Sequence, residues 1–130
     1  MLTVAKASAR DQRVSPKKAR LVVDLIRGKE LSKAIDEVTF LNKKTSKIVL
    51  HLLNSAFDAA SKKGFSKDEL VVCEAICQEG RKLKRMFIRA RGRSTRYYKR
   101  MSHIKIALAK IEPIAQEETA KKTKADKAGK

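Results

Sequence analysis

Residues 81–100 constrain this chain more than any other stretch, because they carry ten Lys or Arg side chains and no carboxylate. Like charges set that closely repel one another unless a polyanion lies alongside, whereas a merely solvated face interleaves both signs. Leu83, Met86, Phe87, Ile88, Tyr97, Tyr98 and Met101 interrupt the run. An unpartnered segment gains nothing by showing such groups to water. Cations neutralise phosphates and aromatic rings stack on unpaired bases, so the combination points to folded RNA rather than a plain duplex.

Two conformations fit this stretch. Leu83, Met86, Phe87 and Ala90 fall at i, i+3, i+4 and i+7, the spacing of a basic amphipathic helix that would lie on a membrane or in a partner's groove. Against that, Gly92-Arg93-Ser94-Thr95 reads as a turn, and Ile104, Ile106 and Leu108 alternate with Lys105, Ala107 and Ala109 as in a strand. Residues 70–78 are rich in Val, Ile and Cys and free of Gly and Pro, so a matching strand leads in from the other side. The expected form is a long β-hairpin over about residues 79–103. With about ten residues per strand beyond its sheet, at about 3.3 Å each, it would reach roughly 30 Å. A free ribbon of that length is marginally stable in water. Arg85, Arg89, Arg91 and Arg93 sit near residues of both parities, as suits an arm surrounded by its ligand.

The remainder is too small for more than one domain. The chain has 130 residues, 32 basic against 14 acidic, a formal net charge of +18 and a pI near 10.3. We expect an RNA-binding domain over residues 1–112 and a disordered basic tail over residues 113–130, where little remains to bury. No apolar run approaches the roughly 20 residues that span a bilayer, and the N-terminus lacks a signal-peptide layout, so a cytoplasmic protein without a membrane partner is expected.

In chain order, residues 2–13 alternate loosely, with Ala5, Ala7 and Ala9 on one side, and predict a first strand. Ser15-Pro16 supplies a capping hydroxyl and a first-turn proline for a helix over residues 16–27, with Ala19, Val22, Val23 and Ile26 inward and Gly28 as its stop. The opposite face carries Lys17, Lys18, Arg20 and Arg27. Lys17 and Lys18 stand at the positive end of the helix dipole, a misplacement that favours an anionic partner. A second helix follows, capped by Ser32, with Leu31, Ala34, Ile35 and Val38 inward. A third opens at Asn42 or Thr45 and buries Val49, Leu52, Leu53, Ala56 and Ala60 before Lys62-Lys63-Gly64. The expected fold is α+β: a small three-stranded antiparallel sheet packed on three helices, with the hairpin protruding.

Catalysis has little support. The carboxylates Asp24, Asp36, Glu37, Asp58, Asp68, Glu69, Glu74 and Glu79 are dispersed, with no nucleophile beside a base and no Gly-rich phosphate loop. Cys73 and Cys77, four apart in a strand, would lie about 13 Å apart, beyond disulfide reach, and read as two core-facing thiols rather than a metal site. His51 reads as an ordinary boundary residue. No cofactor or metal is expected. An architectural DNA-binding protein is the main rival, since such proteins also use basic β-arms.

Several motifs in register resemble the bacterial large-subunit ribosomal protein twenty-two family over about residues 4–111. They are Ser15-Pro16-Lys17-Lys18-Ala19-Arg20-Leu21-Val22, Asp24-Leu25-Ile26-Arg27-Gly28-Lys29, Asn42-Lys43-Lys44, Glu79-Gly80, Lys84-Arg85, Arg89-Ala90-Arg91-Gly92-Arg93, Lys99-Arg100 and Ser102-His103-Ile104. The resemblance implies a structural, monomeric component of the large ribosomal subunit that binds large-subunit rRNA and helps assembly. It also implies a hairpin tip at the wall of the nascent-peptide exit tunnel, opposite ribosomal protein four and beside the nascent peptide. Leu83, Lys84, Arg85, Met86, Phe87, Ile88, Arg89, Ala90, Arg91 and Gly92 would form that tip region. Ile88 stands where the family often has proline, and Ser94 where it often has alanine. Residues expected to meet RNA are Lys17, Lys18, Arg20, Arg81, Lys82, Lys84, Arg85, Arg89, Arg91, Arg93, Arg96, Tyr97, Lys99, Arg100 and His103.

Overall fold

A computed structural model describes residues 3–111. The expected basic tail lies outside the described residues. Strand β1 (Thr3–Gln12) is followed by helices α1 (Pro16–Ile26), α2 (Leu31–Phe40) and α3 (Lys44–Ser61), then by strands β2 (Leu70–Ile88) and β3 (Ser94–Lys110). The sheet is antiparallel in the order β1-β3-β2, so the last strand is the central one. All three helices cover one face, giving the α+β architecture that the periodicities predict.

Each helix buries the stripe its spacing dictates. Ala19, Val22, Val23 and Ile26 of α1, Leu31, Ala34 and Val38 of α2, and Val49, Leu52, Leu53, Ala56 and Ala60 of α3 meet Ala5, Leu70, Val72, Ala75, Cys77, Ile104, Ile106 and Leu108 of the sheet. At roughly 25 cal/mol per Å² of apolar surface removed from water, this layer is what holds the domain together.

The helix starts differ from what their polar residues predict. Ser15 is the N-cap of α1, but its hydroxyl makes no capping bond. The α2 cap is Glu30, not Ser32, and the α3 cap is Lys43, between the two expected positions. Packing of the apolar stripes sets these starts, and it outweighs a cap worth about 1 kcal/mol. One side-chain cap does form, at the 3-10 turn Lys67–Glu69, where the Ser66 N–H donates to the Glu69 carboxylate at 3.3 Å.

An extra residue in β2 separates the two cysteines. Val72 pairs with Leu108 and Glu74 with Ala107, leaving Cys73 as a bulge. The bulge flips the parity of the strand, so Leu70 and Val72 face the helices before it and Ala75 and Cys77 after it. Only Cys77 therefore enters the core; Cys73 is half-buried, with its thiol donating to the Ala107 carbonyl at 3.2 Å.

The outer edge of β2 is not left open. Gly28, at φ +77, turns the chain so that its N–H donates to the Val72 carbonyl at 2.9 Å, and the Val72 N–H donates to the Lys29 carbonyl at 2.9 Å. Arg27 adds a fork, donating from Nη2 at 2.7 Å and Nε at 3.2 Å to the Ala75 carbonyl. Grouped by spacing with Lys17, Lys18 and Arg20 as one basic face, Arg27 in fact braces α1 against the sheet and pairs with Asp24 at 3.0 Å.

Candidate nucleic-acid interface

The arm begins where β1 gives out. Gln12 is the last residue of β1 to pair, opposite Ser102, and beyond it β2 and β3 continue alone. A second irregularity, between Glu79 and Lys82, sits at this exit. A Cβ on Gly80 would lie 3.1 and 3.2 Å from the Met101 carbonyl carbon and oxygen, so the close approach of the two backbones favours glycine. Seven rungs follow, from Lys82 opposite Arg100 to Ile88 opposite Ser94. At about 3.3 Å per residue these seven rungs span about 23 Å, and Gly80, Arg81 and the turn beyond Ile88 lengthen the arm further.

Residues directly opposite in an antiparallel pair share a face, so the register sorts the side chains. One face carries Lys82, Lys84, Met86 and Ile88 with Arg100, Tyr98, Arg96 and Ser94; the other carries Leu83, Arg85 and Phe87 with Lys99, Tyr97 and Thr95. Both faces mix cations with apolar or aromatic groups, and neither packs against the domain: every residue from 84 to 100 is exposed. The turn lies at residues 89–93, ahead of the Gly92-Arg93-Ser94-Thr95 position that the sequence suggested. The Arg89 N–H donates to the Arg93 carbonyl at 2.7 Å, and Arg91 and Gly92 take the left-handed conformation at φ 57 and +69. Arg89 lies over the Phe87 ring, 5.1 Å from its centre. Ile88 and Ser94 form the closing rung.

Charge at the root of the arm is partly balanced. Lys82 pairs with Glu79 at 3.1 Å, the only ion pair within residues 81–100 among the described residues. That hydrogen bond and the Lys82 charge, helped by Arg100 and Arg20, hold the Glu79 carboxyl below its usual range. Arg20 of α1 thus stands near the root of the arm. Lys17 and Lys18 are exposed on the same helix. His103 accepts a hydrogen bond at Nδ1 from the Asp11 N–H at 2.9 Å, with Asp11 at φ 51.

The sheet face away from the helices joins Arg81 and His103 to residues that the sequence pattern did not single out, Arg10, Gln78 and Lys105 among them. Arg10, Gln78, Arg81, His103 and Lys105 line a cavity of about 370 Å³ beside the arm root, with Ser8 and Asp11. Lys6, Arg10, Glu74 and Lys105 line a neighbouring one of about 430 Å³. Lys6, Ser8 and Arg10 were visible as the polar side of an alternating strand; what the sequence does not show is that β3 sits between β1 and β2, which puts Lys105 beside Ser8. Among the described residues no cluster of His, Cys, Asp and Glu is suited to a metal, and no helix is long and apolar enough to cross a membrane.

The family model described as Ribosomal protein L22p/L17e matches residues 7–109, spanning the helices, the sheet and the whole arm. The chain belongs to this family. As a member of the L22p/L17e family it is a structural ribosomal protein of the large subunit that binds rRNA. The unipolar arm and the open cationic sheet face are the features of this family member that suit a polyanion.

Proposed function

We propose that this protein is held in the large subunit by its open sheet face and α1, and that its arm is threaded into folded rRNA. The turn at residues 89–93 then reaches the wall of the nascent-peptide exit tunnel, near ribosomal protein four and the emerging peptide. In this reading Lys17, Lys18, Arg20, Arg81, Lys84, Arg85, Arg89, Arg91, Arg93, Arg96, Lys99 and Arg100 neutralise phosphates, while Phe87, Tyr97 and Tyr98 meet bases. Bringing separate rRNA segments onto one arm is how it would support assembly, and it works in the cytoplasm as a monomer on the ribosome.

The observation that carries the reading is an arm exposed on both faces that bears ten cations with a single carboxylate partner at its root. Only surroundings rich in phosphate compensate such an element from all sides. Replacing Arg85, Arg89, Arg91 and Arg93 together by Ala should weaken rRNA association and reduce its log–log salt slope by about 0.7 to 0.9 for each lost phosphate contact. An unchanged slope would sink direct phosphate contact by the arm. Preferential binding to duplex DNA as a dimer would favour the architectural reading instead.

A further inference from the structure

The corner between α2 and α3 carries features that packing does not explain. Phe40, the last residue of α2, is 88 % exposed, and Leu21 of α1, which lines a cavity at this corner, is 71 % exposed. The start of α3, like that of α1, is strongly cationic. No side chain caps it and no acidic residue occupies its first turn, while Lys43, Lys44 and Lys47 surround it. The free N–H groups of a helix start already make a positive pole, so three lysines there oppose the dipole unless an anion is present.

A second observation, independent of the helix end, points the same way. Ser46 lines a cavity of about 430 Å³ together with Phe40, Leu41, Lys43, Lys47 and Leu50. It is only 4 % exposed, and its hydroxyl has no hydrogen-bond partner among the described residues. A buried hydroxyl without a partner costs free energy unless something fills that role. Lys18, already part of the proposed interface, lines the adjacent cavity with Leu21, Lys43 and Lys44.

We propose that this corner is a further RNA contact, separate from the arm and the open sheet face, that takes one splayed nucleotide. Its base stacks on Phe40, and its phosphate sits at the start of α3 among Lys43, Lys44, Lys47 and the Ser46 hydroxyl. An exposed ring offers a free face for a base, and Lys43, Lys44 and Lys47 beside it, with no acidic residue in the first turn of α3, favour a nucleotide over an apolar protein surface. The inference rests on the reading that the protein binds rRNA.

The test measures binding of the full chain to large-subunit rRNA for four variants, with hydroxyl-radical footprints. Phe40→Ala should weaken binding roughly fivefold to a hundredfold, the range for losing one stacked base, without changing the salt slope. Phe40→Tyr should restore it. Lys43→Gln with Lys44→Gln should lower the slope by about 0.7 per phosphate contact. Both Phe40→Ala and the double lysine variant should expose a nucleotide patch that the variant lacking Arg85, Arg89, Arg91 and Arg93 still protects. Because Phe40 and both lysines are exposed, unchanged thermal melts should accompany these losses. Wild-type binding and footprint in the corner variants, with the arm variant impaired, would overturn the corner contact and leave the arm reading standing. A corner covered instead by another protein would overturn it equally. Undiminished binding by the arm variant would count against the arm reading alone.

Discussion

Gly80 and Gly28 show how two glycines answer different demands. At Gly80 an added Cβ meets backbone, at 3.1 Å from the Met101 carbonyl carbon, and His103 Cε1 at 3.3 Å. At Gly28 it meets nothing within 4 Å, so only the positive φ resists substitution. Gly28→Ala should therefore cost about 1 kcal/mol in urea denaturation and leave rRNA binding intact. Gly80→Ala should cost about 1–2 kcal/mol and in addition weaken rRNA binding, because the arm must re-aim to relieve the clash. The cysteines separate in the same way. Burial pushes the Cys77 thiol above its ordinary 9.0, opposed by the Ser102 hydroxyl and the Arg20 charge. The folded state thus favours the neutral thiol: that contribution is complete below about pH 9 and is lost as pH rises through the folded value. Cys77→Ala should flatten the alkaline limb of the stability–pH curve, and a thiol reagent should label Cys73 ahead of Cys77 in the native protein.

At the scale of elements, the arm and the domain share strands but not stability. None of the buried core lies between residues 78 and 101, so the arm contributes no apolar burial to the helix–sheet layer. Replacing residues 82–100 by a two-residue turn should leave the thermal midpoint within a few degrees of wild type and abolish most rRNA binding. A deletion of Leu83, Lys84 and Arg85 alone has a different outcome. It removes an odd number of residues from one strand only, so the distal half must slip and exchange its two faces, or bulge. The domain should still fold, while the footprint beyond the deletion changes; an unchanged footprint would contradict the pairing of Lys82 with Arg100 through Ile88 with Ser94.

The whole molecule carries +18, and that excess acts on the free protein before any RNA is present. Self-repulsion opposes the compact state and is screened by salt, with a Debye length of about 30 Å at 0.01 M and about 10 Å at 0.1 M. Raising salt over that range should raise the melting temperature of the free chain, and do so less once residues 82–100 are removed; a salt-independent melt would show that the repulsion is already relieved within the fold. Much of this was legible in the sequence. Helical spacing of Val, Ile and Leu named the buried stripes of α1, α2 and α3, and a run of one sign without carboxylates marked the arm, because periodicity and charge are local properties of the chain. What local patterns cannot hold is which distant residues become neighbours. Tertiary structure alone decided that β3 lies between β1 and β2, bringing Arg10 and Lys105 to one face, and that the bulge at Cys73 turns one thiol inward and not the other. It also left Phe40 and Ser46 at an unpartnered corner, since burial depends on what the other elements cover.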